Sequence, residues 1–350
     1  MFETINALGA LDNPNLPAAG GERLYLDGAR HVDARALADA RSAGLSAVNI
    51  TLGHVAGSGD PFCETVRDIT GWNAFVARHP GALRRVFTVS DIAAAAEAGQ
   101  VGVIYGFQNT EMLGPELDRV RLFAKMGVRV IQLTYNGRNA VGDGATVPDD
   151  QGLSRFGAEV LERLQGEGVL VDLSHSSRKT CLDALSFAQR PVAITHAGCR
   201  AVADHPRNKS DAELRLLADG GGVIGLYFMP YLRLVGQPMA ADLVAHLEHA
   251  IDVCGEDHVG LGTDGGTTAI DDLAAYRRQL EDEVAQRRTL GIGAPGETAD
   301  VTTFLPDLCG PTQFQRLADL LAARGHAATR IEKILGGNFR RLMADAWTHA

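Results

Sequence analysis

The sequence predicts an α/β protein of the (β/α)8 TIM-barrel class, one domain over residues 1–350 with long loops after its first and eighth strands. Three observations carry that expectation. Eight short apolar runs recur along the chain, helical patterns separate them, and polar residues gather where the runs stop. A chain of 350 residues can bury most of its unfolded surface in one core, and α/β barrels of more than about 250 residues commonly form a single domain.

The runs are TINALG (4–9), SAVNITL (46–52), VGVIYGF (101–107), VRVIQLTY (128–135), VLVDLSH (169–175), PVAITH (191–196), GVIGLYF (222–228) and HVGLGTD (258–264). Their nearly continuous Val, Ile and Leu content suits strands of a parallel sheet covered on both faces. Between them, DARALADARSAG opens at Asp33, a candidate N-cap, and SRFGAEVLERLQGEG ends on glycine. Eight strands with eight crossovers favour a closed barrel over an open sheet. Residues 10–33, rich in Pro, Gly and Asn, and residues 265–310 exceed what a barrel requires and read as loops or lids over the site. The stretch from Thr312 to Trp347 reads as helices packed on the outside of the barrel.

Composition narrows the function. The formal net charge is −10, and no Lys/Arg cluster offers a face for phosphates, so a nucleic-acid partner is excluded and a small molecule is expected. Neither a basic leader with an apolar core nor a run of about 18 apolar residues is present, which gives no membrane partner and a cytoplasmic location. Cys63, Cys181, Cys199, Cys254 and Cys309 lack C-x-x-C spacing and read as free thiols. DDLAAYRRQLEDEVAQRR reads as a solvated helix with paired charges, and a homo-oligomer interface on it stays open. His246 and His249 fall near the solvated edge of another helix, whereas His54 and Cys63 lie after the second strand, on the active-site face.

In barrel enzymes the chemistry lies at the C-terminal ends of the strands. Here Gln108 and Asn109 follow the third strand and Thr134, Tyr135 and Asn136 the fourth. Asp172, Ser174 and His175 mark the fifth, His196 ends the sixth and Asp264 the eighth. One histidine at a strand end is more often a hydrogen-bonded core residue than a ligand. Two histidines and an aspartate converging from three strands point instead to a functional set, and neutral imidazoles with a carboxylate suit zinc or a similar divalent ion. Arg207, in HPRNKSD after the sixth strand, presents a planar fork for a substrate carboxylate; the plainer reading is a loop ion pair with Asp211.

LVDLSH, PVAITH followed by HPRNKSD, VGLGTD and LTYN together resemble the renal (membrane) dipeptidase family of the metal-dependent amidohydrolases, from about residue 34 to GGNFRRL near the C-terminus. The resemblance implies a (β/α)8 barrel that hydrolyses dipeptides with two zinc ions. It further implies His175 and His196 as ligands of one ion, Arg207 as a contact for the substrate carboxylate and Asp264 as a catalytic acid/base. The departures concern the second ion. The family's H-x-D after strand one is replaced by INALGALDNPN, and its bridging carboxylate after strand three by Gln108, an amide and thus a weak metal ligand. The family's substrate-contacting histidine after strand four is Tyr135 here. An H-x-D at His31 and Asp33 serves a metal only if LYLDG (24–28) is strand one, and Asp12 is a further candidate for the second site.

Three functions follow. The first is a hydrolase with one divalent ion, zinc, held by His175 and His196 with help from Gln108, cleaving an amide bond of a small carboxylate-bearing substrate. Asp264 is its base, Tyr135 its oxyanion donor, and Arg207, Asn136 and Asn109 its substrate contacts. The second is a metal-free acid/base enzyme using the same residues. The third is a binding protein on the same barrel.

Overall fold

The apolar runs form strands because branched aliphatic side chains fill both faces of a buried sheet. In a computed structural model, which describes residues 2–17 and 26–347, the strands are β1 (Thr4–Gly9), β2 (Leu45–Thr51), β3 (Leu83–Arg85), β4 (Val101–Phe107), β5 (Val128–Gln132), β6 (Leu170–Asp172), β7 (Ala193–Ala197), β8 (Val223–Leu226) and β9 (Val259–Leu261). Eight of them follow one parallel path, β1-β2-β4-β5-β6-β7-β8-β9. The expected barrel and its eight strands are therefore observed. β3 is an addition: it pairs with Val101–Val103 of β4, while Tyr105–Phe107 of the same strand pairs with β5. Two arginines in three residues hid it from a search for apolar runs.

No strand ladder joins β9 to β1 among the described residues, but hydrogen bonds close the ring. Asp264 N donates to Leu8 O at 3.0 Å and Ala10 N to Gly265 O at 3.1 Å. The buried Asn6 amide completes the seam, giving Nδ2 to Thr263 Oγ1 at 2.8 Å and taking Thr263 N on Oδ1 at 2.9 Å. The ring is tight at this point. A Cβ on Gly262 would stand 1.8 Å from Thr195 O, so only glycine lets β9 pass this close to β7.

The helices begin as their caps dictate. Asp33 takes Ala36 N on Oδ1 at 2.8 Å and heads the helix Ala34–Ser42; its Oδ2 accepts from Asn13 Nδ2 at 2.9 Å. Asp33 is thus the helix cap, the simpler of its two readings, with both oxygens engaged. Of the alternative first strand, residues 24 and 25 lie outside the described residues, and Gly28–His31 is a 3-10 turn.

Two expectations need correction. The C-terminal helices do not simply lie outside the barrel: Phe339, Leu342, Met343 and Trp347 pack against Ile5, Ala47, Leu170, Ala193 and Val223, residues at or near the starts of five strands, and so plug the N-terminal mouth. The amphipathic pattern showed a buried face but not which surface it covers. His246, expected near a solvated edge, is wholly buried; its Nδ1 accepts Cys199 N at 2.8 Å and its Nε2 faces Leu232 O at 3.0 Å. All five cysteines are free, three of them buried.

Candidate active site

The opposite, C-terminal mouth holds a cavity of about 210 Å³. Its walls include Gln108, Tyr135, Asn136, His175, Arg207 and Asp264. The segment 265–310, expected as a lid, does cover it. Part of that lid is the helix Leu273–Thr289, whose Leu280, Glu283, Val284 and Arg287 reach the cavity. The helix is thus not merely a solvated surface: Leu280 and Arg287 are buried.

His175 stands three residues past β6, and His196 lies within β7. Their Nε2 atoms face each other at 2.9 Å. Hydrogen bonds on the other side of each ring set the tautomers. Asn136 gives its Nδ2 to Ile292 O at 2.7 Å and so presents Oδ1 to His175 Nδ1, also at 2.7 Å. Thr195 Oγ1 donates its one proton to Asp172 Oδ2 at 2.6 Å and must therefore accept from His196 Nδ1 at 2.9 Å. Asp172 in turn takes Ser174 N at 3.0 Å and Thr195 N at 2.9 Å, so one buried side chain anchors both the His175 loop and β7 beside His196. Burial first, and then the Arg207 charge, hold both imidazoles well below the usual histidine range, so both are neutral.

Two neutral rings protonated at Nδ1 present two bare Nε2 lone pairs to one point. That donor set fits a divalent cation, and each ring carries the outer hydrogen bond that orients a metal-binding histidine. Gln108 donates Nε2 to Thr51 Oγ1 at 2.6 Å, which leaves its Oε1 as the end available to a ligand. Among the described residues, no three His, Cys, Asp or Glu side chains form a metal-binding group. Asp12 lies beside the loop after β9, its Oδ1 3.3 Å from where a Gly266 Cβ would be, and is not part of the cavity wall.

Arg207 is 1% exposed and donates to Ser174 O and, at 3.4 Å, to His196 O. Its plainer reading does not hold, because Asp211 bonds His249 Nε2 at 2.8 Å instead. Asp264 adopts φ 58, a left-handed conformation that costs a non-glycine residue energy and is typical of functional sites. Burial pushes its carboxyl up to about 6, against the opposing pull of Arg207 and Arg287. Tyr135 stacks on His175, ring centroids 4.2 Å apart, and its hydroxyl accepts Arg287 Nη1 at 3.0 Å. Asn109 is spent elsewhere: Nδ2 on Val55 O at 3.0 Å, Oδ1 on Thr110 N at 2.8 Å and Asn139 Nδ2 at 2.9 Å. It lies outside the cavity wall, as do His54, which bonds Glu64 at 2.8 Å, and the exposed Cys63.

Arg287, Glu297, Tyr231 and His205 form a connected group of cavity residues beyond those expected from the strand ends. Arg287 grips Glu297 with Nε at 3.0 Å and Nη2 at 2.8 Å, and Tyr231 OH donates to the same carboxylate at 2.6 Å. His205 stacks on Tyr231 at 4.4 Å. Arg287 and Glu297 looked like ordinary helix and loop charges. His205, two residues before Arg207, shares the HPRNKSD segment with it, and Arg287 and Glu297 lie in the 265–310 segment expected to cover the site.

The model of the membrane dipeptidase family, peptidase family M19, matches residues 24–289. An uncharacterized dipeptidase of Schizosaccharomyces pombe is 31% identical over 227 residues, 61% of this chain and 54% of that one. The dipeptidase verJ of Clonostachys rogersoniana is 29% identical over 202 residues, 57% of this chain and 52% of that one. This chain thus spans about half the length of both relatives. A crystal structure of an amidohydrolase from Pseudomonas aeruginosa superposes with TM-score 0.80 at 28% identity, covering 99% of this chain and 97% of that one. The chain belongs to the membrane dipeptidase family, peptidase family M19.

Proposed function

We propose that the protein is a metal-dependent hydrolase that cleaves the amide bond of a small carboxylate-bearing substrate, a dipeptide or a close relative, with one divalent ion, zinc, per chain. The carrying observation is the pair of imidazole Nε2 atoms 2.9 Å apart, each ring with an oxygen acceptor at its Nδ1. With the protons on Nδ1, the two Nε2 lone pairs converge on one point, where a cation bound by both relieves their repulsion. His175 and His196 would hold the ion, with Gln108 Oε1 as a weaker neighbour. When bound, such an ion supplies Lewis acidity, polarising a carbonyl and lowering the pKa of water to about 7. An amide where the family carries a bridging carboxylate, and the lack of the H-x-D histidine after β1, support one ion rather than two.

The remaining roles belong to this chain's own side chains. Arg207 holds the substrate carboxylate. Asp264, with its carboxyl raised to about 6, is ionised near neutrality; it accepts the proton of the attacking water and returns it to the amine as the C–N bond breaks. Tyr135, polarised by Arg287, hydrogen-bonds the developing oxyanion. The lid excludes bulk water. Among the described residues no helix is long and apolar enough to cross a membrane, and five free thiols favour the cytoplasm as the working compartment.

Elemental analysis of chain purified without chelators, beside hydrolysis assays on a dipeptide panel, tests this reading. We expect about one ion per chain, with His175→Ala and His196→Ala losing both metal and turnover while circular dichroism stays native. Two ions per chain would overturn the single-ion centre. No ion after zinc or manganese is added would sink the metallohydrolase and favour metal-free acid/base chemistry.

A further inference from the structure

The lid segment 290–298 crosses the cavity beside two side chains, and each of these also holds a residue of the site. Asn136 gives Nδ2 to the lid carbonyl of Ile292 and Oδ1 to His175 Nδ1, both at 2.7 Å. His205 faces the lid carbonyl of Pro295 with Nε2 at 2.9 Å and accepts Arg207 N on Nδ1 at 3.1 Å. A neutral imidazole that accepts at Nδ1 carries its proton at Nε2, so His205 donates to the lid. Burial lowers its proton affinity and favours that neutral form. Packing reinforces the bridge: Ile292 is buried against Tyr135 and Val55.

We propose that Asn136 and His205 are positioning residues that couple docking of the 290–298 segment to the setting of His175 and Arg207. Both ends of the Asn136 amide are engaged, one on the lid and one on His175, so its placement is set by both. A docked lid fixes the Asn136 amide, the amide fixes the His175 tautomer with Nε2 bare, and the metal-ligating nitrogen is ready only beneath a closed lid. On the other side, the docked Pro295 carbonyl holds the His205 proton at Nε2 and thereby keeps Nδ1 as the acceptor for Arg207 N. The inference rests on the metallohydrolase reading only in naming what His175 is positioned for.

The test separates the two ends of one side chain. Asn136→Asp keeps an acceptor for His175 Nδ1 but has no donor for Ile292 O; Asn136→Ala loses both; His205→Phe keeps the stacking on Tyr231 and loses both of its hydrogen bonds. Three readouts are taken on the full chain as purified, with and without added zinc. They are hydrogen exchange of amides 290–298, imidazole nitrogen shifts in histidine-labelled protein, and zinc affinity by chelator competition. Asn136→Asp should speed lid exchange roughly three- to tenfold while zinc affinity stays within about threefold of the parent, as expected when the second-shell acceptor survives. His205→Phe should speed the same amides. Asn136→Ala should also lose the His175 Nδ1–H signature and bind zinc about 10–100-fold more weakly. Unchanged lid exchange in Asn136→Asp, or an unchanged His175 signature in Asn136→Ala, would overturn the coupling. Should the parent protein bind no zinc, the metallohydrolase reading falls, while the exchange and nitrogen-shift readouts still decide the coupling.

Discussion

At the scale of the residue, Asn136 and Thr195 set which nitrogen of His175 and His196 carries the proton. His175 and His196 could be found in the sequence because each stops an apolar run, and Asp264 for the same reason. Their outer partners were less accessible. Asn136 stood out as polar but looked like a substrate contact, whereas its amide joins His175 to the lid. Asn109 looked equivalent and is a strut between loops. A side chain's partners depend on where it points, and a strand end does not determine that. Arg207 shows how strict the geometry is, since one planar group donates to the carbonyls of both Ser174 and His196. A lysine cannot reproduce the fork. In Arg207→Lys, steady-state kinetics on the best dipeptide should show KM raised roughly 10- to 100-fold with kcat little changed, the size expected for charge-assisted hydrogen bonds.

Elements came through more clearly where their signal was local. Asp33 caps its helix as its position before an amphipathic run implied, and β1 spans the expected TINALG. β3 carries no periodic signal because it is three residues long and two of them are arginines, and the helix Leu273–Thr289, within the segment expected to cover the site, reads as solvated because its few cavity-facing residues are scattered among charges. Another element-scale feature is the anchor at the helix Pro61–Arg78, where Asp68 takes Gly53 N at 2.9 Å and Asp27 N at 3.1 Å. Burial raises its carboxyl to about 6 from 3.8 despite those bonds. A folded-state value above the unfolded one means that the native state binds the proton more tightly. Its contribution is therefore fully present below about pH 4 and is lost as pH rises through about 6, up to ~3 kcal/mol. Chemical denaturation of the parent and of Asp68→Asn at several pH values isolates the effect. The parent should lose stability relative to the variant across that window, and a constant difference would show that the two carboxylate states are equally well solvated.

At the scale of the whole molecule the barrel divides its labour between two mouths. The C-terminal mouth holds the strained Asp264, the paired imidazoles and the lid. The other is closed by an apolar plug in which Phe339 is 1% exposed and lies where a Cβ on Gly260 would come within 2.6 Å of its ring. Phe339→Ala should cost about 3–5 kcal/mol of stability while leaving metal content and kcat/KM unchanged under native conditions, because stability and chemistry lie at opposite ends of the strands. Denaturant melts with elemental analysis check both halves.

Legible in the sequence alone were the strand runs, the barrel class and the histidines and aspartate that stop three strands. These depend on apolar periodicity and on chain direction, both local quantities. Long-range contacts set how the ring closes through Asn6 and Thr263, which mouth the C-terminal helices plug, and that Arg287 and Glu297 enter the cavity. They also set which imidazole nitrogen is bare. Each of those depends on contacts between residues far apart in the chain, as between Asn136 and Ile292, and a hydrogen bond of that kind leaves no periodic trace in the sequence.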